Sequence, residues 1–280
     1  MNIMLLLNTP CIEFMESPAS WLSRVALSQH VPLREVRRVF GLPNTRELDF
    51  FFAGRSISKI VSRKIDQRAP EWQQSNITWR FRAIESVLRH LRYIDQRGRR
   101  YLLGSRAKPE YRYCPVCLAG DRVPYFRIEW RFRCWHWCPL HQCLLKDKCS
   151  ACDSRIVLPI DMINAGKDEA GVALLDRCMA CEHHLSLNWQ AELNSIPQEQ
   201  LTSLEHCLLM NGRAVLSAMK LGYMFEGNAT RVDTLHRLRR FERLRLIPIT
   251  ACPIDILNFR NRIEQAAESR TWPIDQMFGH

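Results

Sequence analysis

The stretch YCPVCLAGDRVPYFRIEWRFRCWHWCPLHQCLLKDKCSAC, residues 113–152, holds three closely spaced pairs of cysteine and histidine. These pairs are Cys114-Pro-Val-Cys117, Cys138-Pro-Leu-His141 and Cys149-Ser-Ala-Cys152, and Cys178-Met-Ala-Cys181 follows twenty-five residues later. Each pair places two donor atoms on one side of a metal ion, and two such pairs complete a tetrahedron. The spacing therefore predicts two closed metal sites in the middle of the chain.

We expect these sites to hold two zinc ions per chain, because closed sets of four thiolate and imidazole donors favour structural zinc. The first site comprises Cys114, Cys117, Cys138 and His141, and the second comprises Cys149, Cys152, Cys178 and Cys181. At the first site either Cys134 or His136 is an alternative ligand, and His183 and His184 compete with Cys181 at the second. A thioredoxin-type redox pair is the other interpretation, but no βαβ pattern surrounds these cysteines.

The cysteine content bears on the cellular compartment. The chain has 280 residues, 46% of them hydrophobic, and 12 cysteines. Its apolar run at residues 3–7 is far shorter than the roughly 20 residues of a membrane span and lacks the cationic start of a signal peptide. We therefore expect a cytoplasmic protein with no membrane segment, in which metal rather than disulfide bonds accounts for the cysteines.

The positive charge lies elsewhere than the cysteines. The net charge is +11, and residues 1–110 contribute 19 Lys and Arg against 10 Asp and Glu, whereas residues 111–190 and 191–280 are each nearly balanced. A charge surplus concentrated in one third of the chain favours an anionic partner over a merely solvated surface.

Two short helices are predicted near the start. Residues 17–29 have apolar positions at helical spacing, with Ser17 as N-cap and Pro18 at the first helical position. A second helix at residues 33–40 ends at Gly41. Its polar face is predicted to carry Arg34, Arg37 and Arg38. The pair resembles a helix-turn-helix, although a helical hairpin with a solvated basic face has the same pattern.

A longer helix is predicted from residue 76 to about residue 98, because apolar residues recur there at intervals of three and four. Its exposed face and the loop after it are rich in arginine, which pairs bidentately with phosphate. With the three arginines of the second helix, the candidate contacts to nucleic acid or an effector complex are Arg34, Arg37, Arg38, Arg80, Arg82, Arg89, Arg92, Arg99 and Arg100.

The expected fold is mainly α with small β zinc ribbons. Residues 1–110 form a basic helical domain with a helix-turn-helix-like segment, residues 111–190 a tandem zinc-ribbon region, and residues 191–280 a helical C-terminal region. Residues 124–137 alternate aromatic and charged side chains and predict a ribbon strand. We expect its rings to pack over the first metal site, the alternative being that they stack on bases. Helices are predicted at residues 201–222, 230–246 and 254–268.

Several of these segments resemble the TniQ family, the targeting proteins of Tn7-like and CRISPR-associated transposons. The matching segments are residues 16–26, 113–121, 124–131, 138–141 and 149–152. The resemblance implies an N-terminal helix-turn-helix domain, tandem zinc ribbons and no catalysis. It implies partners as well: a CRISPR effector complex with guide RNA, such as Cascade, or target DNA, and a transposition ATPase that recruits the transposase. A homodimer is also implied, and Met15 is an alternative start.

Two other function classes remain as alternatives. A stand-alone zinc-dependent transcription regulator would use the same helix-turn-helix segment. An enzyme is disfavoured, because the sequence has no Gly-rich phosphate loop, no nucleophile elbow and no His-Glu-x-x-His motif.

Overall fold

The computed structural model describes residues 9–53, 55–61, 71–89, 91, 101–138, 140–141, 143–158, 175–186, 216, 223–226 and 231–234. In this part of the chain helices predominate and strands are few and short. The helices are α1 (Pro18–Ser28), α2 (Leu33–Phe40), α3 (Leu48–Phe51), α4 (Ile57–Val61), α5 (Glu71–Arg89) and α6 (Pro115–Gly120). The strands are β1 (Trp137–Cys138), β2 (Cys143–Leu144), β3 (Tyr223–Glu226) and β4 (Arg231–Thr234). None of the helices described has both the length and the apolarity that crossing a membrane requires.

Helix α1 begins where the sequence predicts. The Ser17 side chain accepts a hydrogen bond from the Ser20 N–H at 3.0 Å, and Pro18 follows the cap. The helix is buried on all sides from Pro18 to Leu27, rather than amphipathic. Its hydroxyls are satisfied locally; Ser23 Oγ, for example, donates to the Ala19 carbonyl oxygen at 2.8 Å.

Helix α2 packs against α1 through a tight connection. His30 in this connection has a left-handed backbone with φ of 56°, and its N–H donates to the Leu27 carbonyl oxygen at 3.2 Å. Leu33, Val36 and Phe40 bury one face of α2. Gly41 ends the helix with φ of 67°, a conformation that only glycine adopts freely.

An ion pair is buried at the start of α1. Arg24 Nη1 lies 2.6 Å from Glu16 Oε2, and the two side chains are 4% and 0% exposed. Glu16 also accepts hydrogen bonds from Ser20 Oγ and the Glu13 N–H, both at 2.9 Å. Burial nevertheless raises the pKa of Glu16 to about 7, although Arg24 opposes this.

The raised pKa of Glu16 predicts a measurable pH dependence. The native state holds the proton on the Glu16 carboxyl more tightly than the unfolded chain does. The stabilisation that this proton provides is therefore lost as the pH rises from about 4.5 to about 7. We expect the difference in free energy of unfolding between the wild type and Glu16→Gln to fall by about 2 kcal/mol between pH 5.5 and 7. Urea unfolding of both proteins at several pH values measures this difference in free energy of unfolding. A difference that stays constant with pH would contradict the prediction.

Helix α5 packs on α4 and begins earlier than predicted, at Glu71. Phe81, Ile84, Val87 and Leu88 are fully buried, as their spacing predicts. Glu85 faces α4, where its carboxylate accepts a hydrogen bond from the Ser58 N–H at 2.9 Å. The part of the predicted helix at residues 92–98 lies outside the described residues.

The aromatic segment before the second Cys/His pair is not the predicted ribbon strand. Residues Ile128–Arg131 form a 3-10 helix, and only Trp137–Cys138 at its end is a strand. The adjacent residues Trp130 and Arg131 are both buried, which an alternating strand with one exposed face would not allow. The alternating pattern was therefore a poor guide to the backbone here.

At the C-terminal end the structure describes a β-hairpin in which β3 pairs antiparallel with β4, Tyr223 opposite Thr234. The prediction of a helix over residues 230–246 is wrong for Arg231–Thr234, which forms strand β4; the β-branched Val232 and Thr234 favour a strand here. Leu216 is helical and buried. Apart from Leu216 and Arg231–Thr234, the three helices predicted after residue 200 lie outside the described residues.

A buried polar cluster joins the N-terminal helices to the cysteine-rich region. Arg131, fully buried in the 3-10 helix, lies 2.6 Å from Glu47 Oε1 and 3.1 Å from Asp49 Oδ2. Tyr111 donates a hydrogen bond to Asp49. Asp49 in turn accepts from the Ala19 N–H at 3.0 Å, in the first turn of α1. These bonds fix α1 and α3 against the segment that carries the first metal ligands.

Candidate metal centres

The first cluster brings together Cys114, Cys117, Cys138 and His141, whose donor atoms all lie within 4.8 Å of one another. His141 Nδ1 is 3.5, 3.3 and 3.5 Å from the sulfur atoms of Cys114, Cys117 and Cys138 respectively. Four donors about 3.7 Å apart are the corners of a tetrahedron around an ion with metal–sulfur bonds of ~2.3 Å. The cluster therefore has the dimensions of a closed tetrahedral site.

Local structure places each half of this cluster. Cys114 is the N-cap of α6, and its sulfur accepts from the Cys117 N–H at 3.4 Å. The short β1–β2 hairpin carries Cys138 and His141 at its turn. An N–H directed at sulfur stabilises thiolate, the form that binds metal.

Cys143 is a fifth sulfur beside this cluster, and the sequence assigned it no role. It lies directly opposite Cys138 in the β1–β2 register, and its sulfur is 3.6 Å from that of Cys114. Sequence reasoning could have placed it there, since a strand residue after a tight hairpin faces its partner across the turn. It is 6% exposed.

A partly buried cation, Arg127, accompanies the first cluster. Arg127 makes two parallel hydrogen bonds to Asp121, of 3.0 and 2.9 Å, and the Asp121 N–H donates to the Cys117 carbonyl oxygen at 2.9 Å. The neighbouring Cys114 and Cys138 raise the pKa of Cys117, and the charge of Arg127 opposes this. Three thiolates, one imidazole and a divalent ion carry a net charge of −1, which a neighbouring guanidinium partly balances.

The second cluster brings together Cys149, Cys152, Cys178 and Cys181, again within 4.8 Å. Cys149 and Cys181 sulfurs are 3.7 Å apart, as are those of Cys152 and Cys178. These distances are far longer than a disulfide bond of ~2.05 Å, and all four cysteines are free. Cys149 and Cys178 are buried, whereas Cys152 and Cys181 are exposed, so one side of the site faces solvent.

The two halves of the second cluster have the same local geometry. The N–H groups of Ala151 and Ala180 each donate, at 3.4 Å, to the sulfur of the cysteine two residues earlier. Asp153 and Glu182 each have φ between 56° and 59° and donate to the carbonyl oxygen of the cysteine four residues earlier. Two matching turns that present thiolates to each other are what a tetrahedral Cys₄ site needs.

The alternative ligands lie outside both clusters. Cys134 and His136 are each 6% exposed but belong to neither set of four donors. Burial raises the pKa of Cys134 to about 12, which keeps it a protonated thiol rather than a metal-binding thiolate. His184 Nδ1 lies 3.0 Å from Asp176 Oδ2.

The aromatic residues around the first cluster are packed rather than available for base stacking. Tyr125, Phe126, Trp130 and Trp135 are all between 1% and 8% exposed. The Phe126 and Trp130 rings meet edge to face with centroids 5.8 Å apart. The structure therefore assigns these four rings to packing in the fold and not to stacking on bases.

The candidate arginines divide into three groups. Arg34 and Arg38 are exposed on α2, with side chains 69% and 76% accessible, and both approach Glu35. Arg82 and Arg89 are exposed on α5. Arg92, Arg99 and Arg100 lie outside the described residues.

The prediction that Arg37 is exposed is wrong, and Arg80 is exposed only in part. Arg37 is only 5% exposed, because it lies one turn after Leu33 on the buried face of α2, and its Nη1 donates to the Thr45 carbonyl oxygen at 2.7 Å. Arg80 is partly buried; its Nη1 donates to the Ile12 carbonyl oxygen at 2.6 Å and lies 3.1 Å from Glu13 Oε2. Both guanidinium groups serve intramolecular contacts.

Comparison with protein families agrees with this arrangement. The TniQ family model matches residues 9–145, which contain α1 to α6 and the whole first cluster but end before the second. A search of curated proteins found no match. The match includes the buried Glu16, the α1–α2 pair and the first four metal donors, and residues 9–145 of this chain are therefore a TniQ-family region.

Proposed function

We propose that this protein is a non-catalytic targeting adaptor for transposition. The observation that carries the proposal is the family match, which suggests a transposition-associated targeting protein and covers the most basic part of the chain. The adaptor would bind a target-recognition complex, either an RNA-guided effector such as Cascade or DNA directly. It would recruit the transposition ATPase and through it the transposase, acting as a homodimer in the cytoplasm.

In this proposal two zinc ions hold the platform together. The donor sets, Cys₃His and Cys₄, are those of structural zinc, and their spacing suits a tetrahedral ion. Cys114, Cys117, Cys138 and His141 would hold one ion, and Cys149, Cys152, Cys178 and Cys181 the other. Both sets are complete with four protein ligands, which supports a structural role over a catalytic one.

The cationic surface of α2 supports an anionic partner. Arg34 and Arg38 project into solvent, with Glu35 as the acidic neighbour of both. Helix α2 follows α1 through a short connection, an arrangement consistent with a helix-turn-helix unit that presents its second helix to DNA or to a ribonucleoprotein.

The proposal is tested by purifying the tagged protein from its native host and identifying the RNA and proteins that accompany it. An effector complex with guide RNA, or target-site DNA, together with the transposition ATPase is the expected result. Recovery of operator DNA alone would instead support the stand-alone transcription regulator. Recovery of neither ATPase nor target complex would overturn the proposal.

The charge of α2 gives a more specific prediction. We expect the double variant Arg34→Glu/Arg38→Glu to bind nucleic acid or the effector complex at least about 10-fold more weakly at physiological salt, since each reversed charge removes a phosphate contact. Because both residues are exposed, the variant should have the melting temperature of the wild type. Fluorescence anisotropy or pull-down measures the binding.

The matched control is Lys59→Glu/Arg122→Glu, which changes the net charge equally at two other exposed positions. Equal weakening by both double variants would show that only net charge matters and not this face. Arg37 is left unchanged because it is buried, and Arg37→Glu would destabilise the fold rather than report on binding.

A further inference from the structure

Two large aromatic side chains lie exposed side by side. Phe14 is 54% and Trp79 58% exposed, and their rings are stacked with centroids 5.9 Å apart and an interplanar angle of 22°. In the described residues, Leu140 is the other large apolar side chain with comparable exposure. Exposing aromatic surface to water is unfavourable, so a paired display of this kind indicates a binding surface.

The chain holds this pair in place from both sides. Next to Trp79, Arg80 binds the Ile12 carbonyl oxygen and the Glu13 carboxylate, which immediately precede Phe14. On the other side, Tyr125 Oη donates to the Phe14 carbonyl oxygen at 3.2 Å. These contacts hold the aromatic pair in place in the free protein.

The backbone next to Phe14 is strained in a way that exposes its ring. Met15 has φ of 57°, in the left-handed region that a non-glycine residue rarely occupies. Met15 itself is buried at 5% exposure, and its carbonyl oxygen accepts from the Ile128 N–H at 2.7 Å. This turn directs Met15 inward and Phe14 outward, and backbone strain of this kind concentrates at functional sites.

Two exposed arginines lie on the same side of α5 as Trp79. Arg82 and Arg89 follow Trp79 within about 80° around the helix and about 15 Å along it. Neither forms an ion pair with a residue that the structure describes. The nearby carboxylates are engaged elsewhere, Glu85 with Ser56 and Ser58 of the α4 segment and Glu13 with Arg80. The outward surface here is therefore aromatic and cationic.

We propose that Phe14 and Trp79 form a stacking platform for an unpaired base of single-stranded nucleic acid, with Arg82 and Arg89 binding its phosphates. This inference rests on the proposed targeting function, in which either guide RNA or a displaced DNA strand would supply the single strand. Aromatic rings set beside a cationic track are the usual means of binding single strands without reading their sequence.

A second copy of the chain is a poorer occupant of this surface. The apolar part consists of two rings flanked by arginines, whereas a stable dimer interface buries at least about 1,200 Å² with a core depleted of charge. Single-stranded nucleic acid satisfies both the rings and the cations at once.

The test measures the affinity of the full-length, metal-loaded protein for fluorescein-labelled 20-nucleotide single strands of RNA and of DNA, and for the duplex, by fluorescence anisotropy. Trp79→Ala and Phe14→Ala should each weaken single-strand binding about 5- to 50-fold and affect duplex binding little, because stacking needs an unpaired base. Trp79→Tyr, which keeps a stacking ring, should restore most of the affinity. The RNA and DNA arms show which strand is preferred.

Two controls separate stacking from charge and from general loss of apolar surface. Arg82→Ala/Arg89→Ala should reduce the dependence of log affinity on log salt by about 1.4, whereas Trp79→Ala should leave it unchanged. Leu140→Ala, which removes a side chain that is 70% exposed elsewhere, should bind like the wild type. Unchanged metal content and melting temperature would show that each variant is folded.

Equal single-strand affinity of Trp79→Ala and wild type would overturn the platform, as would a wild type that binds no single strand. A dimer that dissociates in Trp79→Ala with nucleic-acid affinity unchanged would assign the surface to self-association. The proposed adaptor role fails separately: a wild type that binds single strands through Trp79 but copurifies with neither ATPase nor target complex would keep the platform and remove that role.

Discussion

Replacing Cys117 with Ser is expected to remove one of two metal ions per chain and to unfold the region around the first cluster. Cys117 is 2% exposed, and its sulfur lies 3.3 Å from His141 Nδ1 and 3.6 Å from the sulfur of Cys138. Structural zinc contributes about 10–16 kcal/mol of apparent binding free energy in small zinc domains, so losing a ligand should destabilise this region by several kcal/mol. Elemental analysis gives the metal content, and thermal unfolding followed by circular dichroism gives the stability.

The matched control for this substitution is Cys134→Ala. Cys134 lies in the sequence between the two halves of the first cluster and is also buried, but its sulfur belongs to neither set of donors. The Cys134→Ala variant should keep two metal ions. Its free energy of unfolding should fall by about 1 kcal/mol or less, since a single small buried group is removed. A Cys117→Ser protein with two ions and the wild-type melting temperature would refute the first cluster as a metal site.

Replacing Arg131 with Met is expected to lower the free energy of unfolding by about 3–5 kcal/mol. The guanidinium is fully buried between Glu47 and Asp49, and it also donates to the Leu103 carbonyl oxygen at 2.7 Å. Burial opposes its charge, but Glu47 and Asp49 outweigh this and keep its pKa raised. Removing the cation would leave two carboxylates uncompensated in the core, and urea unfolding at neutral pH measures the cost.

Lys148→Met provides the comparison for Arg131→Met. Lys148 pairs with Asp153 at 2.6 Å, but the two side chains are 34% and 78% exposed. An exposed pair of this kind contributes at most about 1 kcal/mol. Adding Glu47→Gln and Asp49→Asn to Arg131→Met should recover part of the lost stability, because the buried charges are then gone. If Arg131→Met cost no more than Lys148→Met, the buried cluster would not be what joins the two regions.

Local sequence signals were sufficient for the features that depend on a few neighbouring residues. The caps at Ser17 and Gly41 were predicted because the first and last turns of a helix leave backbone groups that only certain residues satisfy. The apolar spacing on α5 likewise predicted its buried face, although its start at Glu71 lay beyond the periodic signal.

The sequence was misleading where one residue type serves two environments. An arginine on a helix predicts an exposed cation, yet Arg37 and Arg80 use their guanidinium groups for carbonyl oxygens and a carboxylate of their own chain. The long stem of arginine packs on apolar surface while its donors reach distant acceptors. Which acceptor lies within reach depends on elements far away in sequence, so spacing cannot distinguish the two cases.

By itself the sequence determined the metal-donor pairs and the start and end of the first two helices, because a Cys-x-x-Cys turn, an N-cap and a C-terminal glycine act within a few residues. Only the tertiary structure decided that Cys143 lies beside Cys114, that Arg131 is enclosed by Glu47 and Asp49, and that Phe14 stacks on Trp79. Each of these contacts joins residues far apart in the chain, and long-range packing, not local conformational preference, brings them together.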